Sequence, residues 1–205
     1  MRGNRARRVL LVALTVCLAL LVVNYARRSV DAEMNREERF PRQNNTLSLE
    51  LGKDGIIRID GEGKLFNTDF KSLLEENGIG SKTVKHVLIG DGITEIGYDV
   101  LSNRRYLITL KLGRNVRRVS AGGIKNCISL QYIYLPSGLQ DIAGDFLYNC
   151  GQCGVITDGA AADLPPMANL TEDAMIHEHV DSLEALMGAV ENELDVPSAL
   201  KHWWD

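Results

Sequence analysis

The sequence has few of the residues from which catalytic and metal sites are built. Its 205 residues include four His and four Cys, and no nucleophile, base and orienting residue are visibly grouped. The formal net charge is only -4 at pH 7, and no segment has the basic stripe of a nucleic-acid-binding protein. We therefore predict a non-catalytic protein with no cofactor and no nucleic-acid partner. With 45% apolar and 24% charged residues, the composition is that of a folded chain.

The cysteine and histidine spacings do not predict a metal or redox site. Cys150 and Cys153 have the C-x-x-C spacing, but a redox site needs a helix N-terminus in a strand-helix-strand context. A zinc site needs a second pair of ligands, and only Cys127 remains outside the N-terminal apolar run. In the His-Glu-His sequence at 177–179, the two His would point to nearly opposite sides of a helix. We predict no metal site.

One long apolar run lies near the N-terminus, at 9–23 (VLLVALTVCLALLVV). Four Arg precede it and two follow, and this bias leaves the N-terminus in the cytoplasm. The nearest tolerable cleavage site, at 30–32, is far from the apolar core. We therefore predict a single-pass membrane protein with an uncleaved signal anchor at 9–26, within an N-terminal segment 1–28, and an extracytoplasmic domain. Secretion after signal cleavage is the alternative.

Two segments separate this anchor from the rest of the chain. Residues 29–46 are polar and mixed in charge, which is typical of a tether. In residues 47–83, apolar and polar residues alternate on both sides of the sequence at 52–55 (GKDG), and this pattern predicts a half-buried β-hairpin. The following DFKSLLEEN sequence at 69–77 predicts a short helix that stops at Gly78. We expect 47–83 to form an N-terminal β cap.

Residues 84–153 contain three copies of one pattern with a period of 23 residues. One such unit cannot bury its own apolar side, so neighbouring units must cover one another. We predict an α/β-type repeat solenoid with parallel strands at 86–90, 109–113 and 132–136. The residues that recur at this step are Val87, Leu110 and Ile133; Ile89, Leu112 and Leu135; Ile93, Val116 and Leu139; Ile96, Val119 and Ile142; and Asn103, Asn126 and Asn149.

The residues that alternate with the predicted core residues point out of the ladder. They form two columns, which are His86, Thr109 and Tyr132, and Leu88, Lys111 and Tyr134. Because Tyr gives a large contact area at low entropic cost, we expect Tyr132 and Tyr134 to anchor an exposed protein-binding surface. The alternative is that these two residues reflect only the preference of Tyr for strands on an exposed sheet.

The repeated units resemble BspA-type leucine-rich repeats, whose pattern is roughly IGxxAFxxCxxLxxVxLPxxVxxI. The sequences that carry the pattern are IGYDVLSNRRYLITLKLGRNVRRV, VSAGGIKNCISLQYIYLPSGLQDI and IAGDFLYNC. The resemblance covers residues 47–153. It implies a short leucine-rich repeat stack in an extracytoplasmic protein that binds other proteins or host surfaces. The implied partners are proteins on the cell surface or in the envelope, and the family has no shared catalytic residues to transfer.

The same resemblance gives the cysteines a structural role. Cys127 and Cys150 occupy the buried cysteine column of the family, and Cys153 replaces a core leucine. If the domain lies outside the cell, a disulfide among these three residues is expected, with Cys150 able to reach either neighbour.

The segment 154–205 is acidic, with eleven acidic residues and one Lys. Thr171 as an N-cap, acidic residues in the first turn and Pro197 beyond the end predict one helix. Its apolar residues follow a heptad seam, namely Ile176, Val180, Leu183, Met187, Val190 and Leu194. We expect the helix to cap the last repeat. The alternative is a membrane-tethered assembly component that pairs through this helix, as a homodimer through 172–195.

Two more contacts are predicted for this acidic segment. Because residues 84–153 carry a net charge of +3, we expect the helix to lie against the basic surface of the repeats. That surface contains Arg104, Arg105, Arg114, Arg117 and Arg118. The terminal Trp203 and Trp204 predict an apolar latch. An exposed Trp pair would instead mark a contact surface.

Overall fold

The computed structural model describes residues 46–151, 153–167, 175–190 and 197–204. The predicted signal anchor and the predicted tether up to residue 45 lie outside these ranges. In the described ranges, no helix is long and apolar enough to cross a membrane.

The described chain begins with the predicted β-hairpin. Strands β1 (Ser48–Leu51) and β2 (Ile56–Asp60) pair antiparallel. In the turn between them, Gly55 has a φ of 77°, which an L side chain rarely adopts. The Asp54 carboxylate accepts a hydrogen bond from the Ile56 N–H at 3.0 Å and fixes the start of β2. The hairpin prediction is confirmed.

A short strand and a helix follow the hairpin. Strand β3 is Gly63–Leu65 and helix α1 is Asn67–Glu76. The helix buries Phe70, Leu73 and Leu74, and it stops at Gly78, which has a φ of 64°. The predicted short helix with a glycine stop is therefore confirmed, with its start two residues earlier than expected.

Eight more strands complete two sheets. They are β4 (His86–Ile89), β5 (Ile93–Ile96), β6 (Thr109–Lys111), β7 (Arg118–Val119), β8 (Tyr132–Tyr134), β9 (Asp141–Ile142), β10 (Gly154–Ile156) and β11 (Ile176–His177). One sheet has the order β1-β2-β4-β6-β8-β10-β11, and its strands are parallel except for β1. The other sheet has the order β3-β5-β7-β9 and is parallel throughout. Each of the three 23-residue units thus gives one strand to each sheet, namely β4 and β5, β6 and β7, and β8 and β9.

The strand register follows the 23-residue period. Val87 pairs with Leu110, and Leu110 pairs with Ile133. The ladder extends beyond the three units, because Ile57 pairs with Val87 and Val155 pairs with Ile133. These five side chains are fully buried in one core between the sheets. Burial of each such aliphatic side chain is worth about 1.5–3 kcal/mol. The predicted strand ladder is confirmed.

The recurring asparagines form a second ladder at the turn of each unit. Asn103, Asn126 and Asn149 have φ values of 60°, 55° and 55°, which Asn tolerates better than other non-Gly residues. The Asn126 amide N–H donates to Asn103 Oδ1 at 3.0 Å, and the Asn149 amide donates to Asn126 Oδ1 at 3.1 Å. The column therefore links neighbouring units through side chains as well as strands.

Substitution of Asn126 should separate the two roles of this column. Asn126→Ala loses both side-chain hydrogen bonds, and Ala tolerates positive φ less well than Asn does. We therefore expect the free energy of unfolding to fall by about 2 kcal/mol. Asn126→Gly loses the same hydrogen bonds but tolerates the φ, so its loss should be about half as large. Urea denaturation measures both. Equal losses in the two variants would show that the backbone conformation contributes nothing.

The prediction of one C-terminal helix over 171–194 is wrong. Part of that range is strand β11, which pairs parallel with β10. The Val155 N–H donates to the Met175 carbonyl, and the Thr157 N–H donates to the His177 carbonyl, each at 2.9 Å. An open edge at β10 would leave these N–H groups unpaired, and pairing them outweighs the helical preference of the sequence.

The helix that does form is α2, Leu183–Ala189. Its N-cap is Ser182, whose hydroxyl accepts from the Ala185 N–H at 3.2 Å. Val180, which precedes the helix, is buried, whereas Leu183 and Met187 are exposed. The predicted apolar residues therefore do not form one continuous heptad seam on a helix, and the homodimer prediction that depends on such a seam is wrong in this form.

Candidate functional site

The six residues predicted to bind a partner share one face of the seven-stranded sheet, here called the outward face. His86, Thr109 and Tyr132 are in register across β4, β6 and β8, and so are Leu88, Lys111 and Tyr134. The same columns continue through Gly154 and Ile156 on β10. The predicted geometry of the two columns is confirmed, and their role in binding stays a prediction.

The predicted exposure of this face is wrong for three of the six residues. Thr109, Tyr132 and Tyr134 are only 0%, 6% and 1% exposed. His86, Leu88 and Lys111 are half-buried. The sheet itself does not bury these side chains, since they point away from its core. The two tyrosines are buried because the C-terminal part of the chain packs on them.

We call this part the cover; it comprises residues 180–190 and 197–204. The second half of the cover contains a 3-10 helix, Ser198–His202, followed by Trp203 and Trp204. The cover and the outward face form one apolar cluster. Its buried members are Tyr132, Tyr134, Ile156, Val180, Leu186, Val190, Leu200 and Trp203, with Leu88, Ala185, Ala189 and Trp204 packed against them.

Tyr134 lies at the centre of the aromatic contacts in this cluster. Its ring is 6.2 Å from that of Trp203 and 5.8 Å from that of Trp204, measured between centroids. Both pairs are edge-to-face, with interplanar angles of 73° and 87°. Such pairs stabilise by about 0.5–1.5 kcal/mol beyond the burial of their area. Trp203 is 2% exposed, so the predicted apolar latch is confirmed.

Lys111 makes a polar contact between the face and the cover. Its ammonium group donates a hydrogen bond to the main-chain carbonyl of Trp203. The same nitrogen lies 4.8 Å from the ring centroid of Trp204 and 5.6 Å from that of Tyr134, which is the geometry of cation–π interactions. Burial, and secondarily the charge of Arg114, lower the pKa of Lys111. Lys111 thus recognises a backbone carbonyl with aromatic side chains beside it.

Two other polar groups are held by neighbours on the face. His86 Nδ1 is 3.0 Å from the Thr109 hydroxyl, which spans the two strands. Burial, followed by the charge of Lys85, lowers the pKa of His86 and favours its neutral form. Burial also raises the pKa of Tyr134, and the carboxylate of Asp158 adds to this shift. These side chains are therefore neutral around pH 7.

A glycine shapes one end of the outward face. A Cβ at Gly154 would lie 3.0 Å and 3.1 Å from two ring carbons of Tyr132. The Tyr132 ring therefore lies across the neighbouring strand, over the space that a side chain would fill. This contact was not predictable from the repeat pattern, because Gly154 lies just outside the three predicted units.

The arginines of the repeats do not position the cover. Arg104 lies over the Phe70 ring at 4.8 Å, and Arg118 pairs with Asp141 at 3.1 Å. These partners belong to the N-terminal cap and to the repeats themselves. The cover instead meets the outward face through apolar side chains and Lys111. Several acidic residues of the segment, at 172, 173, 191, 193 and 195, lie outside the described ranges, so the docking of the acidic segment on the basic surface stays a prediction.

Cys127, Cys150 and Cys153 are buried free thiols in this structure. Cys127 donates to the Leu101 carbonyl at 3.1 Å. Its hydrogen bond with Cys150, together with burial, raises the pKa of Cys127, and the same bond lowers the pKa of Cys150. Burial raises the pKa of Cys153 to about 12. The contact joins the predicted disulfide partners of adjacent units, and the disulfide stays a prediction.

The histidines and acidic residues around 177–179 have separate surroundings. His177 is part of β11, whereas Glu178 accepts a hydrogen bond from the Ala161 N–H at 2.5 Å. The His179 N–H donates to the Gly159 carbonyl at 3.0 Å. Across the part of the chain that the structure describes, no three His, Cys, Asp or Glu residues are grouped so as to hold a metal ion.

Comparisons with known proteins give one structural match. No known protein family matches the sequence, and no curated protein is significantly similar to it. The structure is similar to the crystal structure of a leucine-rich repeat protein from Eubacterium ventriosum, with 12% sequence identity and a TM-score of 0.36. The match covers 58% of this chain and 43% of that protein.

Proposed function

We propose that the chain is a short leucine-rich repeat solenoid of the BspA type, and that it binds a polypeptide partner through the outward face. In this proposal the protein is a binding scaffold, and Tyr134 and Lys111 are its central contacts. The 23-residue register supports the solenoid, because β4, β6 and β8, one from each unit, add to one another in parallel.

One observation carries the binding proposal, which is that the outward face holds a polypeptide segment of its own chain. Lys111 donates to a main-chain carbonyl of that segment, a group that every polypeptide has. Tyr134 packs edge-on against two aromatic rings of the segment. A partner that offers a carbonyl flanked by aromatic side chains would satisfy the same contacts.

We also propose that the repeats lie outside the cytoplasm, on a signal anchor at residues 9–26. The support is the apolar run with four Arg before it and two after it. In this arrangement the partner is a protein of the envelope or of the surface that the cell contacts. Labelling of intact cells with a reagent that does not cross membranes, aimed at an introduced Lys82→Cys, would label an extracytoplasmic domain and spare a cytoplasmic one.

Lys111→Glu in the full-length chain tests the binding proposal. The substitution removes the donor to the carbonyl and the cation between the rings. We expect binding of purified envelope and matrix proteins to the immobilised chain to weaken by about tenfold or more. Lys111 also holds the cover, so the same substitution loosens the cover and makes the outward face more accessible. A loss of binding therefore means that the partner needs Lys111, and not that the cover blocks the partner.

Lys82→Glu is the matched control, since Lys82 is an exposed residue outside the outward face. This variant carries the same change of charge and should bind as the unmodified chain does. A partner that binds both variants equally well would place the binding site elsewhere on the molecule and contradict the proposal.

The second candidate function is a membrane-tethered assembly component. The exposed Leu183 and Met187, four residues apart on α2, favour it. Val180 and Val190 belong to the cover and are buried against the outward face, so they are not available to a dimer without rearrangement. The mass of the full-length chain in detergent, compared with that of Leu183→Glu plus Met187→Glu, tests this alternative. A dimer that the double substitution dissociates would favour assembly.

A further inference from the structure

The cover contacts the outward face without entering the main core. The side chains inside the two sheets form one buried cluster, and those between the outward face and the cover form another, with no buried residue in common. The strands beneath the cover are paired with one another. Detachment of the cover would therefore expose the outward cluster and leave the inner core closed.

The second half of the cover has a contact set that another peptide can reproduce. We call residues 197–204 the terminal turn. Leu200 and Trp203 are its main buried residues on the face, and Trp204 is half-buried. The terminal turn accepts the hydrogen bond from Lys111 through a main-chain carbonyl, not through a particular side chain. Sequence enters the contact through one aliphatic and two aromatic residues.

We propose that the terminal turn is autoinhibitory: it occupies the binding site on the outward face. The partner displaces it with a segment of the same chemistry. That segment has an aliphatic residue followed by aromatic residues, with a main-chain carbonyl that reaches Lys111. The inference rests on the proposed function, in which the outward face is the binding site. In the resting protein the site is occupied by its own chain, and a free partner must compete with it.

The competition has a predictable scale. Six residues, 191–196, join the two halves of the cover in the sequence. A segment on a short tether has an effective concentration of about a millimolar near its site. A free peptide of the same sequence should therefore not bind the unmodified chain at micromolar concentration, because the tethered copy occupies the face.

The probe is a fluorescent peptide of residues 197–204 (PSALKHWW), and its anisotropy is measured with the full-length protein. In Trp203→Ala plus Trp204→Ala the tethered copy loses its two ring contacts to Tyr134. We expect the peptide to bind this variant at least about tenfold more tightly than it binds the unmodified chain. A peptide with both Trp replaced by Ala is the control and should bind neither protein.

Equal affinity for the two proteins would overturn the proposal, because the tethered turn would then not be a competitor. Failure of the peptide to bind the double variant would also overturn it, provided that circular dichroism shows the native sheet content. If the variant does not fold, hydrogen exchange of the unmodified chain decides. The amides of residues 198–204 should exchange about tenfold faster or more than those of β6 and β8. Equal protection would show that the turn does not open separately.

The outcomes separate this inference from the proposed function. Peptide binding that depends on the removal of the two Trp, with no partner sensitive to Lys111→Glu, would support the cover and reject the proposed function. A partner that Lys111→Glu abolishes, and that binds equally well with and without Trp203 and Trp204, would support the binding face and reject autoinhibition.

Discussion

Replacement of Tyr134 by Ala is expected to lower the free energy of unfolding by about 3 kcal/mol, as is typical of a buried aromatic side chain. Tyr134 is 1% exposed and packs edge-on against both Trp203 and Trp204. It also lies beneath the ammonium group of Lys111. Its removal leaves a cavity at the centre of the outward cluster, where Lys111, Trp203 and Trp204 lose a shared partner. Urea denaturation followed by circular dichroism measures the loss.

Tyr134→Phe is the matched variant for this experiment. It keeps the ring and removes the hydroxyl, whose pKa is raised by burial and by the neighbouring Asp158 carboxylate. The cost should be close to that of one hydrogen bond, about 1 kcal/mol. A loss below about 1 kcal/mol in Tyr134→Ala would contradict the packing of the cover, because an exposed tyrosine on a strand would have that small effect.

Gly113→Ala is expected to destabilise the protein by about 2–3 kcal/mol or more, through overlap with the neighbouring unit. A Cβ at Gly113 would lie 2.3 Å from the Gly90 carbonyl oxygen and 2.7 Å from its carbon. Both atoms are main chain, so the overlap is relieved only by moving one unit away from the next. That movement would loosen the ladder between β4 and β6. The midpoint and slope of urea unfolding give the change.

Gly80→Ala is the control for the glycine experiment. A Cβ at Gly80 meets nothing within 4 Å, and the substitution reduces the freedom of the unfolded chain. It should leave the stability unchanged or raise it by about 0.4–1 kcal/mol. Equal stabilities of the Gly113 and Gly80 variants would contradict the close approach of successive units.

The features that the sequence predicted correctly depend on local or periodic patterns. The 23-residue step predicts that Val87, Leu110 and Ile133 lie opposite one another, because parallel neighbours with equal loops keep their register. The hairpin with Gly55 and the helix that stops at Gly78 depend on turn and cap residues close in sequence. These signals remain readable in a single chain.

Burial of the outward face could not be read in the same way. Alternation shows which side chains leave the core of a sheet, but not what a distant segment places on them. Tyr134 and Trp203 are 69 positions apart in the sequence, and their contact has no period. The aromatic pair at 203–204 indicated an apolar latch, but not the surface against which it packs. A sheet face rich in Tyr is compatible with an exposed binding surface and with a surface that another segment of the chain covers, because both use the same residues.

The prediction of one C-terminal helix is wrong for a different reason. Its seam, from Ile176 to Leu194, is a helical pattern in isolation. In the folded chain, β10 presents an edge whose N–H groups need partners, and β11 supplies them at Met175 and His177. Strand β10 itself was missed because its step from β8 is 22 residues rather than 23, so the pairing that overrides the helix was not anticipated.

The central claim is that residues 197–204 occupy the outward face of the sheet, and tryptophan fluorescence tests it most directly. The chain has two tryptophans, Trp203 and Trp204, and both lie in this segment, so emission excited at a wavelength that tyrosine does not absorb comes from this segment alone. Acrylamide quenching of the unmodified full-length chain should be several-fold weaker in buffer than in urea, and Tyr134→Ala should remove most of that protection. Quenching that is equally strong in buffer and in urea would show that the tryptophans are free in the folded protein, and would contradict the account.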